Sequence, residues 1–80
     1  MNSQHKESNS LNLLALRIKK LRVNKGLKQY DLGVDERTIR RIEHENFNPS
    51  FLTLMSISEA LEISISELLD FSEEKEETKK

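Results

Sequence analysis

The 80-residue chain balances 13 Lys+Arg against 14 Asp+Glu for a net charge of −1, and it contains one proline, two glycines and no cysteine. So few breakers argue against a many-stranded β fold, and the missing cysteines exclude a disulfide scaffold, thiolate metal ligation and a thiol nucleophile. No apolar run approaches the roughly 18 residues of a membrane span and the N-terminus has no signal-peptide core, so one compact, soluble, cytoplasmic domain with no membrane partner is expected.

The small net charge hides a split. Residues 11–42 hold nine basic residues and three acids, a balance of +6, whereas residues 43–80 hold three basic residues and ten acids, a balance of −7. Asymmetry of this kind suits an anionic partner for the first half, although charges that merely coat a small helical protein give the same count.

In chain order, residues 1–10 are polar and without apolar periodicity and read as a flexible arm, with Ser10 as a candidate N-cap. Leu11, Leu14, Ile18 and Leu21 then recur at steps of three and four, which places them on one face of a helix, with Arg17, Lys20 and Lys25 turned to solvent. Lys25-Gly26 ends that helix. Residues 27–33 are long enough for one turn. Asp35 is a candidate cap for a helix from Glu36 to about His44, with Ile39 and Ile42 facing inward and Val34 as a hydrophobic staple. After a loop, Ser50 caps a helix to about Leu61 whose apolar stripe is Phe51, Leu54, Met55, Ile57, Ala60 and Leu61. Ser64-Ile65-Ser66-Glu67 matches a capping box and opens a short last helix with Leu68, Leu69 and Phe71, residues that finish the core or pack on a second copy. Residues 72–80 are rich in Glu and Lys and read as a disordered tail. The expected fold is all-α, a bundle of four to five short helices over residues 11–71.

Enzyme chemistry finds little support. His5 and His44 have no partner at ligand or triad spacing, no glycine-rich phosphate loop exists, and Glu73, Glu74, Glu76 and Glu77 read as a solvated run, so no cofactor or metal is expected. The helix after Asp35 is more informative. Arg37 and Arg41 are one turn apart and Arg40 lies beside them, while Ile39 and Ile42 anchor the other flank, an arrangement that suits a helix laid in a major groove.

The order of these blocks resembles the phage-repressor/Cro-type, or XRE, helix-turn-helix family. LALRIKKLRVNKGLKQ (14–29) is similar to its first helix and the start of its second, GVDERTIRRIE (33–43) to its turn and recognition helix, and NPSFLTLMSISEALEISISELLDF (48–71) to its last two helices. The resemblance implies a lambda-repressor-like fold and a sequence-specific transcriptional regulator that binds double-stranded DNA as a homodimer in a prokaryotic cytoplasm. It assigns base reading to Glu36, Arg37 and Arg41. It assigns DNA-backbone contacts to Gln29, Thr38, Arg40, Asn46 and Asn48, and a structural ion pair to Arg22 and Glu43.

Two departures stand out. About four residues that relatives carry between the positions of Leu32 and Gly33 are absent, roughly one helical turn. The second helix is then either a stub or part of one continuous helix from Lys28 to His44. Glu45 stands where a glycine is usual, with Asn46 able to take the left-handed conformation in its place. The shortening keeps a second function open, a protein-interaction or antitoxin-type module with a protein partner.

Overall fold

A computed structural model describes residues 3–74, and among them the chain is all-helical with no strand. Four α-helices occur: α1 (Ser3–Asn24), α2 (Glu36–Glu45), α3 (Phe51–Leu61) and α4 (Ile65–Leu68), with a 3₁₀ turn at Gln29–Asp31 between the first two.

Helix α1 begins at Ser3 and not after Ser10, so Ser10 lies inside the helix and caps nothing. The sequence between Ser3 and Ser10 has no apolar residue, so periodicity is silent there; it also has no proline or glycine, so nothing stops the helix from extending. The far end is as the sequence suggests. Gly26 takes φ +71, its N–H donates to the Val23 carbonyl at 2.9 Å, and the Leu27 N–H reaches back to the Arg22 carbonyl at 3.0 Å. This pair of bonds is the Schellman ending that glycine permits.

The stretch between α1 and α2 is two elements, not one helix from Lys28 to His44. Asp31 accepts the Lys28 N–H at 2.8 Å and closes the 3₁₀ turn. Gly33 then takes φ +74, which a continuing helix forbids. A Cβ on Gly33 would lie 3.4 Å from the Ser56 carbonyl oxygen, so the turn packs in contact with α3. Asp35 starts α2 afresh: its carboxylate accepts the Thr38 N–H at 3.1 Å and the Thr38 hydroxyl at 2.8 Å. Ser50 caps α3 by accepting the Thr53 N–H at 3.1 Å, and Ser64 caps α4 by accepting the Glu67 N–H at 3.0 Å.

Leu14, Ile18, Leu32, Ile39, Ile42, Ile57, Leu61 and Leu68 form one buried cluster, with Leu21, Val34, Phe47, Leu54 and Phe71 packed around it. Helix α2 rests on α1 and on the 3₁₀ turn, and α3 rests on α4. Phe51, expected in the apolar stripe of α3, is 64% exposed beside Leu52 at 76%. The first turn of α3 overhangs the core, so helical phase alone does not bury it.

Two expectations about charge are corrected. Arg17 is not solvated: its Nη2 and Nε donate to the Glu67 carbonyl at 2.6 and 3.2 Å, covering the end of α4. The start of the expected disordered tail is ordered too. Residues 72–74 are helical, the Glu73 carboxylate lies 3.2 Å from Lys20 Nζ, and Glu74 is fully buried. Residues 1, 2 and 75–80, which include Glu76 and Glu77, lie outside the described residues.

Candidate nucleic-acid interface

Helix α2 is built to be held from one side. Ile39 and Ile42 are buried, and the Glu43 carboxylate is inaccessible to solvent. One α-helical residue turns about 100°. Arg37, Arg40, Arg41 and His44 therefore share the arc opposite those anchors, and all four are exposed.

The anchor beneath that arc is ionic as well as apolar. Arg22 of α1 donates Nε and Nη2 to the two Glu43 oxygens at 2.8 and 3.1 Å, and its Nη1 donates to the Leu27 carbonyl at 2.8 Å. Gln29 Nε2 adds a bond to Glu43 Oε1 at 3.1 Å. Glu43 thus ties the end of α1, the 3₁₀ turn and α2 into one unit. Two-pronged guanidinium–carboxylate pairing fixes orientation as well as distance.

The outer face has its own fine structure. Glu36 lies 4.0 Å from Arg40 and Glu45 lies 3.5 Å from Arg41, both one turn apart along α2. Arg37 makes no hydrogen bond or ion pair among the described residues. Asn46, at φ +53, reverses the chain, and both its N–H and that of Phe47 donate to the Arg41 carbonyl. The reversal lays the Phe47 ring under the Arg41 guanidinium, with Cζ 4.2 Å from the ring centre. The Asp35 carboxyl is held below its ordinary pKa first by the Thr38 hydroxyl and then by the Thr38 N–H, so the helix start carries a firm negative charge.

Among the residues singled out for DNA contact, Glu36, Arg37, Arg40 and Arg41 come together on α2, with Asn46 and Asn48 exposed on the loop that follows. Gln29 and Thr38 are already engaged. The Gln29 amide nitrogen keeps one hydrogen beyond its bond to Glu43, and the Thr38 hydroxyl proton points to Asp35. Two neighbours were not singled out, and Phe47 was expected only as part of the phosphate-contacting loop of residues 46–48. His44 shares the outer arc, Tyr30 is 65% exposed on the 3₁₀ turn, and Phe47 stacks on Arg41. His44 is seven residues from Arg37, a spacing visible in the sequence. The Phe47 contact depends on the left-handed Asn46 and left no signal in the spacing.

No group of three or more His, Cys, Asp or Glu residues among the described residues is arranged to hold a metal ion, and no described helix is long and apolar enough to cross a membrane. A family model described as helix-turn-helix matches residues 18–68, which contains the 3₁₀ turn, α2, α3, α4 and the last part of α1. No curated protein and no solved structure matches the chain.

Proposed function

Because this chain belongs to the XRE-type helix-turn-helix family, whose members are DNA-binding regulator domains and not enzymes, we propose that it is a sequence-specific transcriptional regulator that reads the major groove with α2. The observation that carries this reading is the two-sided helix: an ion-paired, apolar inner face against an outer arc with three arginines. Arg37 and Arg41 read guanine edges, to which a guanidinium can donate two hydrogen bonds, and Glu36 reads a cytosine amino group. Arg40, Asn46 and Asn48 meet phosphates and set the register. Gln29 contributes its remaining amide hydrogen, and Thr38 joins them when its hydroxyl turns from Asp35 to a phosphate. Arg22 and Glu43 hold the reading helix in place. Residues 11–71 are the DNA-binding unit, it acts as a homodimer on a pseudo-palindromic site, and its setting is the cytoplasm of a prokaryote, at the nucleoid.

Selection of binding sites from random duplex DNA tests the reading, and enrichment of a palindromic motif is expected. Arg41→Ala should then weaken binding to the selected site by about 1–3 kcal/mol while leaving helicity and melting unchanged. Unchanged site preference in Arg41→Ala would remove α2 from the reading role.

One observation favours a second reading. The helix that ordinarily lies across the DNA backbone is here a 3₁₀ turn of three residues, which suits a module that has traded DNA for a protein partner, as in an antitoxin. Salt separates the two: log affinity for random duplex falls linearly with log salt in a DNA binder, and negligible affinity at low salt favours the protein partner.

A further inference from the structure

The Phe47 ring packs against the core, but its stack on Arg41 plays no part in the residue assignments above. The stack is made by the chain path that ends α2. Asn46 adopts the left-handed conformation at φ +53, and the Arg41 carbonyl receives both the Asn46 N–H and the Phe47 N–H, the latter at 3.3 Å. Arg41 is therefore gripped at its backbone by the same loop that brings the Phe47 ring to 4.2 Å from its Cζ. A second hold comes from Glu45, whose carboxylate lies 3.5 Å from Arg41 Nε. The two terminal nitrogens of Arg41 make no hydrogen bond among the described residues, and the side chain is 44% exposed. The other arginine of the proposed reading pair, Arg37, has neither a ring nor an ion pair among the described residues.

We propose that Phe47, with Glu45, is a positioning residue for DNA reading: it presets the Arg41 guanidinium as a fixed plane whose terminal nitrogens face a base edge, so that Arg41 reads one base pair stringently and Arg37 reads its own loosely. This rests on the proposed function. The physical reason is entropic. A free arginine side chain has rotamer freedom that a two-pronged contact must remove. A ring beneath the guanidinium and a carboxylate at Nε remove part of that freedom before DNA arrives, and a ring stack directs the plane where a simple ion pair does not. Phe47 therefore affects discrimination and not general attraction, because it changes no charge.

The test uses the full chain with two readouts. The first is independent of DNA: the Arg41 Nε–H resonance, assigned by its loss in Arg41→Ala, should show a ring-current shift that disappears in Phe47→Leu and persists in Phe47→Tyr. The second is base discrimination at each position of the motif selected from random duplex. Phe47→Leu should lose about two- to fivefold of discrimination at the base pairs that Arg41→Ala affects, the equivalent of an exposed cation–π contact, with the other positions and the salt slope unchanged. Phe47→Tyr should retain it. Phe47 is half-buried against the core, so Phe47→Leu can fail to fold; Glu45→Gln then carries the test, with about a twofold loss at the same base pairs. A folded Phe47→Leu with full discrimination overturns the proposal, as does an equal loss at every position or an Arg41 resonance without a ring shift. A wild-type protein that binds no duplex at low salt overturns the DNA reading; an intact ring shift then shows the stack to be a structural contact alone, and the positioning role falls with it.

Discussion

Single residues decide whether α2 stays where the rest of the chain puts it. The Glu43 side chain is removed from solvent, and its carboxylate accepts two bonds from Arg22 and a third from Gln29. Arg22→Ala leaves that carboxylate buried with only the amide, and the expected cost is about 3 kcal/mol in urea denaturation. Replacing both partners by Met should recover most of the loss, because the penalty comes from an uncompensated charge and not from the missing contact. Asp35 controls the other end of α2. Its folded-state pKa is depressed, chiefly by the Thr38 hydroxyl, so the stability it adds is complete above the ordinary aspartate range and is lost as pH falls through the lowered value. Asn can cap but does not titrate. In acid the melting temperature of the wild type should therefore fall relative to Asp35→Asn, and at neutral pH the gap should reverse or close. Parallel curves across that range would mean that the cap does not depend on the charge.

The elements show which interactions a sequence displays openly. The starts of α2, α3 and α4 at Asp35, Ser50 and Ser64, and the glycine stop after α1, were legible because each is a bond between residues at most five apart. Features that need two distant segments were not legible from periodicity and spacing; the Arg22–Glu43 pair was expected only through the family resemblance. Arg17 reads as a solvated helix residue until α4 brings the Glu67 carbonyl to it, 50 residues away. Lys20 meets Glu73 across a similar gap. The candidate site divides in the same way: the arginine arc of α2 follows from its helical phase, whereas the Phe47 ring beneath Arg41 follows from a chain reversal. The reversal at Asn46 was expected, but a second one was hidden. Glu62 ends α3 at φ +62, with its N–H on Glu59 and Ser58 carbonyls, a conformation that costs an L-residue with a Cβ about 1 kcal/mol. Its side chain meets Lys25 at 3.1 Å, an exposed pair worth little. Comparing Glu62→Gly with Glu62→Ala removes that pair from both and isolates the backbone. The glycine variant should be the more stable by about 1 kcal/mol in chemical denaturation, and equal stability would mean that the end of α3 carries no strain.

At the scale of the whole molecule, charge and size set how this domain can find a site. The net charge is −1, so its total field does not draw it to DNA. Attraction comes from the basic half, balanced at +6 over residues 11–42, while the acidic half offsets it and limits binding to random sequence. Some of that acid is structural: Glu73 pairs with Lys20, and Glu74 is buried 4.0 Å from the same amine, so α1 has part of its basic charge neutralised from within. A domain of this kind gains affinity by doubling its contacts. One copy measures 37 × 22 × 20 Å and presents one reading helix, whereas successive major grooves on one face of a duplex lie about 34 Å apart. The homodimer proposed above would set its two reading helices in consecutive grooves at that spacing. The expected selected site is therefore an inverted repeat with half-site centres about 10 base pairs apart, bound by two copies with a steep concentration dependence. A duplex carrying a single half-site should bind at least tenfold more weakly, because the second copy then adds only phosphate contacts. Inserting five base pairs between the half-sites turns one of them to the opposite face of the duplex and should lower affinity to the single-half-site level. A lone half-site enriched at one copy per duplex, insensitive to that insertion, would show that the domain reads DNA as a monomer.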